Sequence, residues 1–186
     1  MKKIIALTLA FVMALSFTAC GGEKKNDEIK DDALTVLTKI WEKYGEDDKF
    51  PAAGGELSEG NMTDGAPGAF PIENADSLEA QLVFPASEVS KISSAASLTH
   101  MMNANTFTAG AFAVKDEDEV DNICAAVKDK ILNNQWLCGF PEKLVIMEIG
   151  GNLISAFGNG EIIDTFVTNA KAAYPSVVIL AQEPIA

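Results

Sequence analysis

Few side chains in this 186-residue chain are equipped for chemistry, and their spacing narrows what they can do. His100 is the single histidine, so a Ser-His-acid triad would have to use it. No Gly-x-Ser-x-Gly turn supplies the nucleophile. A zinc site would draw on His100 with Cys124, Cys138 or acids, and none of these stands at ligand spacing. The 27 acids always contain some pair for glycoside chemistry, which is weak ground for assigning it. Asp116-Glu117-Asp118-Glu119 invites a metal ion. The stripe Val120, Ile123, Cys124, Val127, Ile131 that follows makes it instead the first turn of a helix, where acids complement the dipole. The glycines between residues 45 and 72 form no phosphate cradle, because no Lys-Ser/Thr follows and no apolar strand feeds them. No catalytic residue, metal or cofactor is expected. The contact candidates are His100, Met102, Asn103 and Asn105 at a turn, and Asp64 in the glycine-rich stretch.

Cys20 offers chemistry of another kind. Lys2 and Lys3 precede an apolar run from Ile4 to Leu15, and Ser16-Phe17-Thr18-Ala19 is a small cleavable stretch. The run is short for a membrane span and reads as a secretory signal over residues 1–19. Cys20-Gly21-Gly22 after Ala19 resembles the lipobox of bacterial lipoproteins, with Phe17 where leucine is usual. That resemblance implies acylation of the Cys20 thiol, which becomes the new N-terminus. The alternative is an ordinary signal peptide cut near Ala19. A single acyl chain binds marginally, whereas two or more hold stably. The expected location is the extracytoplasmic face of a bacterial membrane, with residues 20–30 as a flexible tether.

Charge narrows the partners. The chain carries a net charge of −13, and all 14 of its basic residues are lysine. Arginine is the residue suited to bidentate phosphate and base recognition. An acidic chain without it is a poor nucleic-acid binder, so no nucleic acid is expected. The acidity suits solubility at a cell surface, or attraction of cations or a basic partner. Export permits a Cys124–Cys138 disulfide. With Cys124 inside a helix and Cys138 past its end, the chain would have to fold back sharply to form it. The other reading is two small apolar core residues.

These residues need elements to position them. A helix starts at Asp31 or Asp32 and runs to about Tyr44, with Leu34, Leu37, Trp41 and Tyr44 on one stripe and Gly45 as its stop. Gly45 to Ile72 reads as a long loop, either an ordered wrap or a binding loop. Asp76-Ser77-Leu78-Glu79 opens a short helix ending at Phe84-Pro85. Val89 to Met102 is a strand in which Ile92, Ala96, Leu98, His100 and Met102 share one parity. Phe107 to Lys115 is a second strand, and the acid-led helix follows, ending near Asn133-Asn134. Trp136 to Pro141 is an apolar connection, a core plug or a contact surface. Strands Leu144–Ile149 and Leu153–Phe157 flank the hairpin signal Gly150-Gly151-Asn152. Asn159 or Gly160 caps a helix carrying Ile163, Phe166, Val167, Ala170 and Tyr174, and Val177–Leu180 is the last strand. The order β-β-α-β-β-α-β predicts a single α+β domain over residues 31–186, an antiparallel sheet with helices on one face, preceded by a helix and the long loop 45–72.

Three stretches carry a wider resemblance: His100-Met101-Met102-Asn103; Phe112-Ala113-Val114-Lys115-Asp116; and Asp118-Glu119-Val120-Asp121, followed by a helix with Lys128, Ile131 and Gln135 and the later Gly151-Asn152 hairpin. With the signal, they make residues 75–175 similar to small lipoproteins of Gram-positive anaerobic gut bacteria that carry a domain of unknown function. Some of these bear the label "bacteriocin transport accessory protein", which implies a thioredoxin-like protein. This chain has no Cys-x-x-Cys. The family implies no activity and no catalytic residues. The expected function is a lipid-anchored, non-catalytic domain that binds a protein or small molecule. The alternatives are a divalent-cation-binding accessory protein or a small exported hydrolase.

Overall fold

The computed structural model describes residues 31–58, 60–102, 106–137 and 139–185. The residues expected as signal and tether, Cys20 among them, and Asn103, Asn105 and Cys138 lie outside the described residues.

Asp32 starts the first helix, accepting the Thr35 N–H at 2.7 Å, and α1 runs Ala33–Trp41. Its stripe buries Val36, Leu37, Ile40 and Trp41. The stretch expected as a loop contains three short strands, β1 (Ala52–Gly55), β2 (Met62–Asp64) and β3 (Gly68–Phe70). This corrects the long loop 45–72, and glycine gives the reason. β1 and β3 both pair with the same edge of one long strand, β1 opposite Thr99 and His100, β3 opposite Ala95 to Ser97. Where one gives way to the other, a Cβ on Gly54 would sit 2.0 Å from the Gly68 nitrogen. Glycines that look like loop punctuation here permit close backbone approach.

Asn74 caps α2 (Ala75–Leu82), accepting the Ser77 N–H, so the helix begins slightly earlier than Asp76 suggested. A 3₁₀ turn over Ala86–Lys91 leads into β4 (Ile92–His100), which pairs with β5 (Phe107–Val114). A bulge between Ile92 and Ser94 breaks the expected parity. Ile92 points to one face, whereas Ala96 and Leu98 point to the other. Asp116 caps a short acidic turn before α3 (Val120–Leu132). β6 (Lys143–Ile149) and β7 (Asn152–Gly158) close the hairpin on Gly150 and Gly151, both at positive φ. Asn159 caps α4 (Gly160–Ala173), and β8 (Val178–Pro184) ends the fold.

The α+β class and the antiparallel sheet are as read from the sequence. The eight strands run β2-β1-β4-β5-β7-β6-β8, with β3 beside β4. The expectation that the helices share one face is corrected. α1 and α4 cover one face over Leu98, Phe107, Ala109, Val145, Met147 and Ile154. α2 and α3 cover the other over Phe112, Leu144, Ile146, Leu153 and Phe157. The central strands alternate apolar residues to both sides, so neither face can stay wet. No helix among the described residues is long and apolar enough to cross a membrane.

Candidate functional site

His100 ends β4 and is buried in an aromatic cluster. Its ring stacks on Phe50 at 4.7 Å and 11°, and Phe50 also meets Trp41, Tyr44 and Phe107. The Met102 backbone N–H donates to His100 Nδ1 at 3.0 Å. That bond uses the lone pair a base or metal ligand would need and leaves the neutral ring's proton on Nε2. Burial lowers the pKa of the imidazole, favouring the neutral form. In this geometry the His100 ring is held by packing on Phe50 and by the bond to its Nδ1. Asp64 pairs across β1 with Ala53, whose other neighbour is Thr99. Two strand spacings, about 10 Å, therefore separate Asp64 from β4, and the two candidates form no common site. Met102 is 54% exposed beyond the end of β4. Among the described residues, no group of three or more His, Cys, Asp or Glu side chains could hold a metal ion. Cys124 is a free, half-buried thiol whose pKa burial raises.

The concave feature lies elsewhere. α2 and α3 leave the end of their sheet face uncovered, opening a cleft of about 670 Å³. Thr106 just before β5, Thr108 of β5 and Phe157 of β7 form its floor. One wall is α2, with Asp76, Glu79, Ala80 and Val83. The other is the end of α3 and the chain beyond it, from Lys130 to Trp136, Leu137 and Gly139. Lys130 Nζ bonds Glu79 at 2.6 Å and ties the walls together. That bond holds the Glu79 carboxyl below its ordinary range. Its volume falls in the range of small-molecule sites, and its lining mixes Trp136, Leu137, Val83 and Phe157 with polar residues such as Gln81, Asn134 and Gln135.

Two details of the walls are costly to maintain. Val83 ends α2 at φ 53°, ψ 32°, a left-handed conformation that a β-branched residue rarely adopts. Such strain costs on the order of 1–3 kcal/mol. Its neighbour Phe84 is buried against Phe112 at 4.2 Å, which holds the turn in place. Trp136 packs on Phe157 at 5.2 Å, and its Nε1 is buried without an acceptor among the described residues. An unmet donor costs about 1–3 kcal/mol.

The apolar segment after α3 divides its roles. Trp136 and Pro141 pack inward, as a core plug would, whereas Leu137 is 92% exposed and Phe140 73% exposed. Fully burying such a side chain is worth about 1.5–3 kcal/mol, which an occupant covering it would gain. The sequence reads this segment as a plug or a contact surface; Trp136 and Pro141 pack as a plug would, and Leu137 and Phe140 are left exposed. Glu79, Val83, Lys130 and Phe157 were missed as site residues. Their separation in sequence carries no signal, and only the fold brings them together. A second hollow of about 450 Å³ lies beside Lys143 and Gln182 at the start of α4. There Glu142 already accepts the Gly160 N–H at 2.8 Å, so the feature is a satisfied helix cap.

The cleft also has a defined place relative to chain entry. Asn152 Nδ2 donates to the Asp31 carbonyl at 2.8 Å. The Asp31 carboxylate accepts from Lys39 at 2.6 Å and from the Tyr174 hydroxyl at 2.7 Å. The lysine bond, then the tyrosine bond, lower its pKa. Asn152 begins β7 and Phe157 lies near its end, so about 17 Å of strand separates chain entry from the cleft floor. No protein-family model, no curated protein and no solved structure matches the chain, which leaves this geometry to carry the functional argument.

Proposed function

We propose that the chain is an exported, lipid-anchored and non-catalytic binding protein, with Cys20 as the acylated residue and the cleft between α2 and the segment after α3 as its ligand site. The observation that carries the reading is the position of the cleft. It opens at the end of β7 opposite the Asn152–Asp31 contact where the described chain begins. A domain tethered at Asp31 would present the cleft away from the bilayer, toward whatever diffuses or is displayed outside. The exposed Leu137 and Phe140 beside it support a contact role. His100, stacked and hydrogen-bonded through Nδ1, gives a hydrolase no base.

The anchor is tested by feeding cells an alkyne-tagged fatty acid and reading the label on the protein. Wild type takes the label and fractionates with membranes, whereas Cys20→Ser carries none and appears in the medium or the soluble envelope fraction. Equal labelling of both would remove the anchor and with it the argument from the cleft's orientation, leaving the cleft to rest on its exposed apolar wall alone.

A further inference from the structure

We infer that the cleft takes a short basic peptide segment with apolar side chains, and this rests on the binding reading above. Three observations point the same way. First, the apolar surface is exposed and grouped: Leu137 and Trp136 form one wall of the cleft, and Phe140 stands 73% exposed just beyond. A purely polar ligand would leave that surface in water, whereas leucine-like side chains would cover it. Second, the opposite wall is acidic. Asp76 and Glu79 line it from α2, and two further acids lie outside the lining near the start of that helix: Glu73 just before the cap, and Glu56, to which the Ser77 hydroxyl donates at 2.6 Å. Lys130 of the facing wall pairs with Glu79, which leaves Asp76 as the lining carboxylate that meets no lysine among the described residues, with Glu73 and Glu56 adding negative charge nearby. Third, the whole chain is acidic at −13, which repels anionic ligands and speeds the approach of cations. An apolar wall facing an acidic wall is the complement of a chain that alternates lysine with leucine. In an extended peptide successive side chains point to opposite sides, so one strand can serve both walls.

The test is isothermal titration of the full chain, held in detergent micelles, with three probes: a capped hexapeptide alternating lysine and leucine, the same peptide with glutamate for lysine, and a neutral chitin hexasaccharide. The lysine–leucine peptide is expected to bind, with affinity falling as salt rises, and the glutamate peptide is not. Leu137→Ser and Asp76→Asn should each weaken binding by about fivefold to tenfold. Asp118→Asn, which removes the same charge away from the cleft, should leave it unchanged. All three positions are exposed, so their variants should fold. Equal loss on Asp118→Asn would reduce the interaction to bulk charge and overturn the proposal. Binding of both peptides alike, or of the hexasaccharide alone, would overturn the peptide chemistry while keeping the cleft as a binding site. If none of the three probes binds, the peptide proposal fails, and the binding reading is then judged by crosslinking at Leu137 in cells.

Discussion

Trp136 joins core packing to the wall of the cleft in one side chain. Its ring covers Phe157, while its buried Nε1 finds no acceptor among the described residues. Replacing it with phenylalanine removes some apolar area and also removes the unmet donor. These effects oppose each other, so Trp136→Phe is expected to change stability by less than about 1 kcal/mol in urea unfolding. A loss above about 2 kcal/mol would mean that the indole nitrogen has a partner in solution. His100 makes a prediction in pH. Burial lowers its folded pKa, so the unfolded chain binds the proton more readily as pH falls through about 6.5. Stability should therefore decline from pH 7.5 toward 5.5. His100→Gln should lack that part of the slope, whatever its absolute stability. Asp31, held low by the Lys39 bond, loses its contribution only below the ordinary carboxylate range and stays outside this window. Identical slopes for the two proteins would contradict the burial of a neutral imidazole.

The elements show where local pattern suffices. The Asp32 and Asn159 caps, the Gly150-Gly151 hairpin, and the four strands and two helices from Ile92 to Ala173 follow from side-chain period and turn residues within a short window, whereas the cap of α2 is Asn74 rather than Asp76. Failures came where the deciding contact was distant. Gly54 and Gly68 read as loop glycines because the backbone each approaches lies far along the chain. Gly54→Ala should accordingly cost at least about 2 kcal/mol, since the new methyl group meets backbone that cannot turn aside. A midpoint within error of wild type would show that β1 and β3 separate easily. The second helical layer was missed for a related reason. Alternation along β5, β6 and β7 places large apolar residues on both faces, and a strand apolar on both sides needs cover on both. The cleft was half legible. The apolar segment after α3 announced itself by composition. The left-handed Val83 gave no warning, because glycine or asparagine is the usual residue at such a helix end and buried Phe84 holds this one instead.

At the scale of the molecule, ends matter more than faces. One rim of the sheet ends in a three-residue strand, β2, and the other in β8, which carries a bulge against β6 and finishes at Pro184. Both are poor templates for adding a further strand, and the proposed recognition is placed at an end of the domain instead. The end bearing Asn152 and Tyr174 holds Asp31 by three hydrogen bonds and fixes where the chain enters. The other end carries the cleft, with Met101 and Met102 exposed beyond β4 at that same end. The central claim is that recognition occurs there. It is tested most directly by placing a photo-crosslinking amino acid at Leu137 in the cleft wall and, separately, at exposed Ser176 near chain entry, then irradiating intact cells. The account predicts a discrete, saturable adduct from position 137 and none from position 176. An adduct from position 176 alone, or equal adducts from both, would contradict it.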